Sequence, residues 1–139
     1  INEIVVEAHQ EALLSNLNFP QFATILLTYN WRNLPVYLEF EVLEGENVHG
    51  RSIHDQLLAN WTDAFLENLN ESVDLLEENH LSVTIEPESD GIRFFFDFRG
   101  IITDMEKLND LIHTSKLDIL FQQTNENELS LEFFMPYLA

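Results

Sequence analysis

Three short stretches of this chain alternate apolar and polar residues with a period of two, and that pattern limits the fold more than any other feature. Val36, Leu38, Phe40 and Val42 share one side of the first stretch; Ile92, Phe94, Phe96 and Phe98 share one side of the second; Leu129, Leu131, Phe133 and Met135 share one side of the third. Successive side chains of a strand point to opposite faces, so each stretch reads as a half-buried β-strand. A sheet built from such strands is apolar on one face and needs helices to cover it.

The covering element stands out by its own period. Leu57, Leu58, Trp61, Phe65, Leu69, Val73 and Leu76 recur at three- and four-residue steps, which predicts a helix over 52–78. Ser52, with Asp55 three residues on, is placed to cap its start. Opposite the apolar stripe lie Asp63, Glu67, Glu71, Asp74 and Glu78, spaced 4, 4, 3 and 4. At about 100° per residue they fall within an arc of about 80°. No lysine or arginine occurs between Ser52 and Ile92. Like charges four apart on a helix cost about 0.2–0.5 kcal/mol per pair at low salt, a cost that a cationic partner offsets. The plainer reading is a solvated outer face that keeps an acidic protein in solution.

The remaining elements follow from propensity and turn chemistry. A first helix runs from a cap at Asn2 to about Asn16, with Val5, Val6, Ala8, Ala12, Leu13 and Leu17 on its apolar side. Residues 22–29, rich in threonine, aromatic and branched residues, read as a strand, and 30–35 as a turn. After the long helix, Leu81, Val83 and Ile85 alternate and pair through the turn 87–91 with the strand at 92–98. Thr103 and Glu106 have capping-box spacing, predicting a short helix that buries Met105, Leu108, Leu111 and Ile112. Strands at 117–121 and 129–135 flank a polar turn at 124–127. The expected fold is therefore α+β: a single domain over 1–139 with a mostly antiparallel sheet of five or six strands and three helices on one face. Its order is αββ-αββ-αββ, either a degenerate repeat or the shared grammar of half-buried strands. The other face should carry Tyr37, Glu39, Glu41, Arg93, Phe95, Asp97, Arg99, Glu132 and Phe134. Phe95 and Phe134 break its polar alternation, so they are either covered by the chain itself or offered as aromatic anchors to a partner.

Composition then removes whole classes of function. The formal net charge of −19 at pH 7 opposes binding to phosphate backbones and to anionic lipid, so neither nucleic acid nor membrane is an expected partner. No apolar run reaches the roughly 18 residues of a membrane span. The sequence opens on Ile1 rather than methionine, which leaves room for a lost targeting segment upstream. Cysteine is absent, which excludes disulfides and thiolate chemistry and accords with a cytoplasmic setting. Hydrophobic content of 45% argues against disorder.

Candidate chemistry is sparse. His49 and His54, with Glu46 and Asp55, are of metal-ligand type, but their spacing does not put two ligands at i and i+4 on one helix face, and no metal is expected. His9, His80 and His113 are isolated; His80, just past the long helix, suits the negative end of its dipole. Carboxylates are so abundant that a pair of them says nothing of acid–base catalysis. With four glycines in all and no phosphate-cradling loop, no cofactor and no catalytic residue are expected. Asn60-Trp61-Thr62 and Asn70-Glu71-Ser72 match the glycosylation triplet within the predicted helix, where the match is coincidental.

A long acidic helix followed by a hairpin ending Phe94-Phe95-Phe96-Asp97-Phe98 resembles, in element order, small acidic bacterial immunity proteins, and also acidic secretion chaperones. Both resemblances imply an acidic, non-catalytic protein that holds another protein by charge and a few apolar anchors. The leading expectation is thus a module that neutralises or shields a basic protein partner, an inhibitor or antitoxin of a nuclease or toxin. Its contact residues would be Asp63, Glu67, Glu71, Asp74 and Glu78, with Phe95 and Phe134 on the sheet. The alternatives are a secretion-type chaperone, for which homodimerisation and the aromatic sheet face matter more, and a small enzyme with a carboxylate or histidine centre.

Overall fold

Phenylalanine rows across a sheet organise the interior. In the computed structural model, which describes residues 2–45, 48, 50–125 and 127–139, the elements run α1 (Asn2–Ser15), α2 (Pro20–Thr28), a 3-10 turn (Tyr29–Arg32), β1 (Val36–Val42), α3 (Asp55–Glu71), β2 (Asn79–Pro87), β3 (Gly91–Arg99), α4 (Met105–Thr114), β4 (Leu120–Asn125) and β5 (Glu128–Pro136). The five strands form one sheet in the order β1-β2-β3-β5-β4. Register places Val83, Phe96 and Leu131 in one row across β2, β3 and β5, and Ile85, Phe94 and Phe133 in the next. All six side chains are buried, and Phe19 and Phe22 from the start of α2 and Trp61 and Phe65 from α3 pack onto them.

The strand expected at 22–29 is helix α2. Pro20 at its first turn has the φ a helix needs and lacks an N–H the helix would leave unpaired. Its remaining free N–H groups are met from a distance: the Asp55 carboxylate accepts from Gln21 at 2.9 Å and Phe22 at 3.0 Å. Burial of Phe22, Ala23 and Leu26 at helical spacing then outweighs local β propensity. The threefold αββ order fails accordingly, since the first unit is helix, helix, strand. There are four α-helices among the described residues, not three.

The sheet is mixed rather than wholly antiparallel. β2–β3, β3–β5 and β4–β5 are antiparallel, but β1 and β2 run parallel, because α3 carries the chain back between them. Helix α3 itself ends at Glu71, short of the expected Glu78. Val73 leaves the helix to pair in a β-bridge with Ile102, the Ser72 carbonyl accepts from Thr103 N–H, and Leu76, expected on the buried stripe, is 94% exposed. The cap is His54, whose Nδ1 accepts the Leu57 N–H, rather than Ser52. Asp104, not Thr103, caps α4. The last hairpin pairs 120–125 with 128–136, a few residues later than expected at its first strand.

β1 is an edge strand, and much of its outer edge is closed by side chains. Asn70 Oδ1 accepts the Val36 N–H, and the Tyr29 hydroxyl donates to the Val36 carbonyl. Asn30 makes both bonds to Leu38, and Gln10 both bonds to Val42. Each of these amides takes the place of a missing neighbouring strand.

Candidate functional site

Two surfaces hold the residues singled out by the sequence, and the fold separates them. On α3 the carboxylates of Asp63, Glu67 and Glu71 are exposed along one side of the helix. Glu71 is engaged by Lys107 of α4 at 3.2 Å, a half-exposed pair worth little on its own. Asp74 and Glu78 do not continue that line, because the helix has already ended. Asp74 Oδ1 accepts the Leu76 N–H in a turn, and Glu78 lies 3.8 Å from His80. The five-carboxylate stripe is therefore a ridge of three followed by an acidic loop. That loop presents Leu75 and Leu76, 74% and 94% exposed, at its tip.

Phe95 and Phe134 lie half-buried on the open face of the sheet, on the side opposite the helices. Between them runs a polar network. Arg93 Nε donates to Glu88 at 2.9 Å and Nη1 to Glu132 at 3.1 Å, while the guanidinium sits 5.1 Å from the centre of the Phe134 ring. Beside it Ser130 donates to Asp97 at 2.7 Å. The guanidinium of Arg93, held by this network, covers the Phe134 ring on a face that otherwise meets water.

The network also sets titration. The hydrogen bond from Arg93 holds the Glu88 carboxyl below its ordinary range. Glu86, sharing a hydrogen bond with Glu88, is held above its own. Glu88 contributes stability that is present above the unfolded carboxylate pKa and is lost as pH falls through its lowered folded value. Glu86 runs the other way: its contribution is present in acid and is lost as pH rises through its raised value. Arg93→Met is expected to bring Glu88 up toward the ordinary range while costing no more than about 1 kcal/mol, as for other half-exposed pairs. A carboxyl-carbon NMR titration of the wild type and the variant measures the first and urea unfolding the second, and an unmoved Glu88 would exclude Arg93 as the cause.

Of the metal-type residues, His49 and Glu46 lie outside the described residues. Among the described residues no group of three histidine or acidic side chains is arranged to hold a metal ion. None of the described helices is long and apolar enough to cross a membrane. The concave features are shallow. A groove of about 510 Å³ between α1, α2 with its 3-10 turn, and β1 is lined by residues including Gln10, Trp31 and Phe40. Another of about 380 Å³ lies beside Arg32, Glu67 and Asn70. Nothing in the local pattern marks the edge-capping amides Gln10, Asn30 and Asn70, since an amide side chain has the same sequence signature whether it caps a strand or meets water.

Comparison with known proteins assigns the chain to a family and finds its fold in solved structures. Residues 18–136 match the family described as sporulation initiation phospho-transferase B, C-terminal. Sporulation initiation phosphotransferase B of Bacillus subtilis (strain 168) is 32% identical over 121 residues, which are 86% of this chain; the chain spans 62% of the length of that curated relative. Among solved structures, the catalytic domain of histidine kinase ThkA superposes with a TM-score of 0.55 at 14% identity, covering 87% of this chain and 92% of that one. Acinetobacter baumannii histidine kinase AdeS superposes with a TM-score of 0.57 at 11% identity, covering 99% and 79%. At such identities the kinases share the fold alone. The family match overturns the expectation of a non-catalytic acidic shield, whether of immunity, antitoxin or chaperone type, and with it the expectation that the protein is not an enzyme.

Proposed function

This chain belongs to the family of C-terminal domains of sporulation initiation phosphotransferase B, and on that footing we propose that it is the α+β domain of a cytoplasmic protein that passes phosphoryl groups between proteins. Its own part is to dock the partner and hold the reacting groups in line. The observation that carries this reading is the extent of the match: residues 18–136 take in α2, α3, α4 and all five strands, a whole sheet with its cover rather than a local motif.

Phosphoryl transfer asks a protein for positioning and charge stabilisation more than for covalent chemistry. The chain has six lysines and arginines, and several are committed to structure. Arg93 is held by Glu88 and Glu132, Lys107 by Glu71, and Arg51 donates to the Ser89 carbonyl with its guanidinium over the Tyr137 ring. A free nucleotide or phosphate would approach a surface of net charge −19. A phosphoryl group borne by a protein with basic surface avoids that repulsion. The ridge of Asp63, Glu67 and Glu71, the adjoining Asp74 and Glu78, and the anchors Phe95 and Phe134 are the surfaces we assign to such a partner.

The test uses the full-length protein. A histidine kinase charged with γ-labelled ATP, together with its phosphorylated acceptor protein, is cleared of nucleotide and mixed with it. Label is expected to pass from protein to protein, and labelled ATP alone is expected to give none. Labelling by ATP alone would show that the phosphoryl source is nucleotide, and no label from either would end the reading. Asp63→Lys with Glu67→Lys, leaving Glu71 on Lys107, is expected to slow transfer by about tenfold at low salt by reversing the charge that steers the encounter. That deficit should shrink toward none at 0.5 M salt if it is electrostatic, since the Debye length there is only about 4 Å.

A further inference from the structure

We propose that the outer edge of β1 carries a second docking site, a one-rung notch at Phe40 that takes an extended, basic segment of a partner protein. The inference goes beyond the phosphotransfer reading and does not depend on it.

The notch follows from strand parity. In a strand the N–H and C=O of one residue point to the same side and alternate along the chain. Leu43 N–H donates to the Ile85 carbonyl, so the odd-numbered residues of this stretch face β2. Val36, Leu38, Phe40 and Val42 therefore face outward. Asn70 with Tyr29 closes Val36, Asn30 closes Leu38 and Gln10 closes Val42. Between these the Phe40 N–H and C=O have no hydrogen-bond partner among the described residues. The protein has filled three rungs with its own amides and left the fourth as a donor–acceptor pair in strand geometry.

What surrounds the notch says what would fit it. Phe40 lines the groove of about 510 Å³ already described, together with Glu7, Glu11, Glu39, Tyr37 and Trp31. Trp31 is 79% exposed, an unusual state for an indole beside an unpaired strand edge. One residue of an extended chain can give its C=O to the Phe40 N–H and take its own N–H to the Phe40 C=O, a single rung of strand addition. A longer added strand is blocked, because Asn30 and Gln10 hold the rungs on either side. Specificity must then come from side chains, and three carboxylates with an exposed indole favour lysine or arginine by charge and by cation–π contact. A second copy of this chain is a poor occupant, since each copy carries a net charge of −19.

The experiment follows backbone amides of the full 139-residue chain by NMR, with two probes. One is a blocked eight-residue peptide alternating lysine and valine; the other has glutamate in place of lysine. In the free protein the Val36, Leu38 and Val42 amides should exchange slowly and the Phe40 amide quickly. The lysine peptide should shift the Phe40 amide and Trp31 indole resonances and slow Phe40 exchange, with the glutamate peptide doing neither. Trp31→Ala and Glu39→Lys, both at exposed positions, should each weaken that binding about fivefold or more at low salt while exchange at the Val36, Leu38 and Val42 amides stays slow. The proposal is overturned if Phe40 is already protected in the free protein, whether by the chain itself or, with rising concentration, by a second copy. It is also overturned if both peptides bind alike, or if the lysine peptide shifts other surfaces and leaves Phe40 unmoved.

Discussion

Replacing Phe96 by alanine is expected to lower the unfolding free energy by about 3–5 kcal/mol, a large share of the 5–15 kcal/mol typical of a whole domain. The ring is 1% exposed. It meets Trp61 edge-on at 5.4 Å and Phe65 edge-on at 5.7 Å, and stacks on Phe133 at 5.7 Å with planes 29° apart. Truncation removes a full aromatic ring from the centre of the row formed with Val83 and Leu131, and rigid neighbours on both sides limit collapse into the space. Urea unfolding should show a lowered midpoint with an unchanged slope. Phe95→Ala, one residue away but on the open face, should cost about 1 kcal/mol or less, as expected for a side chain outside the core. Equal losses at the two positions would contradict the assignment of faces.

Asn70→Ala is the second large effect, expected at about 2–4 kcal/mol. One side chain here serves three partners: Oδ1 accepts the Val36 N–H at 2.9 Å, and Nδ2 donates to the Tyr29 hydroxyl at 2.7 Å and the Leu66 carbonyl at 2.9 Å. The Tyr29 hydroxyl in turn donates to the Val36 carbonyl. Alanine leaves the Val36 N–H unpaired beside a side chain that is fully buried. Burial raises the Tyr29 pKa, only partly offset by the bond from Asn70. The neutral phenol is thus the form the fold holds, and its stabilisation is lost only as pH rises past the ordinary tyrosine range. A double-mutant cycle with Tyr29→Phe should give a coupling of about 0.5–3 kcal/mol, and strict additivity would show that the three groups do not act together.

How far the sequence disclosed this fold depends on which contacts write themselves locally. Residues 36–42 could be bounded to the residue, because alternation is a direct image of one wet and one dry face. The β2–β3 hairpin was legible for the same reason, helped by Pro87 and Gly91 at its turn. Helix α2 was not, since a short run of apolar and threonine residues reads equally as a buried strand, and the cap that decides the matter, Asp55, lies more than thirty residues away. Nor was the parallel β1–β2 pairing visible, because alternation looks alike in either direction. The surface proposed for a partner was least legible of all. The acidic ridge could be read as far as Glu71, where Ser72 and Val73 turn away to meet the segment before α4. Membership of a phosphotransferase family is spread thinly over residues 18–136 at 32% identity to the curated relative, so no single motif announces it.

Closing the rim of β1 with amides has a consequence for behaviour at high concentration. Bare outer strands invite stacking of molecule upon molecule into fibres, and many proteins guard them with lysine or proline. This chain contains two lysines, both beyond residue 106 and neither on β1, and relies instead on Gln10, Asn30 and Asn70 as built-in stoppers. Loss of any one of them would first be felt as clumping and poor yield, before any change in what the protein does.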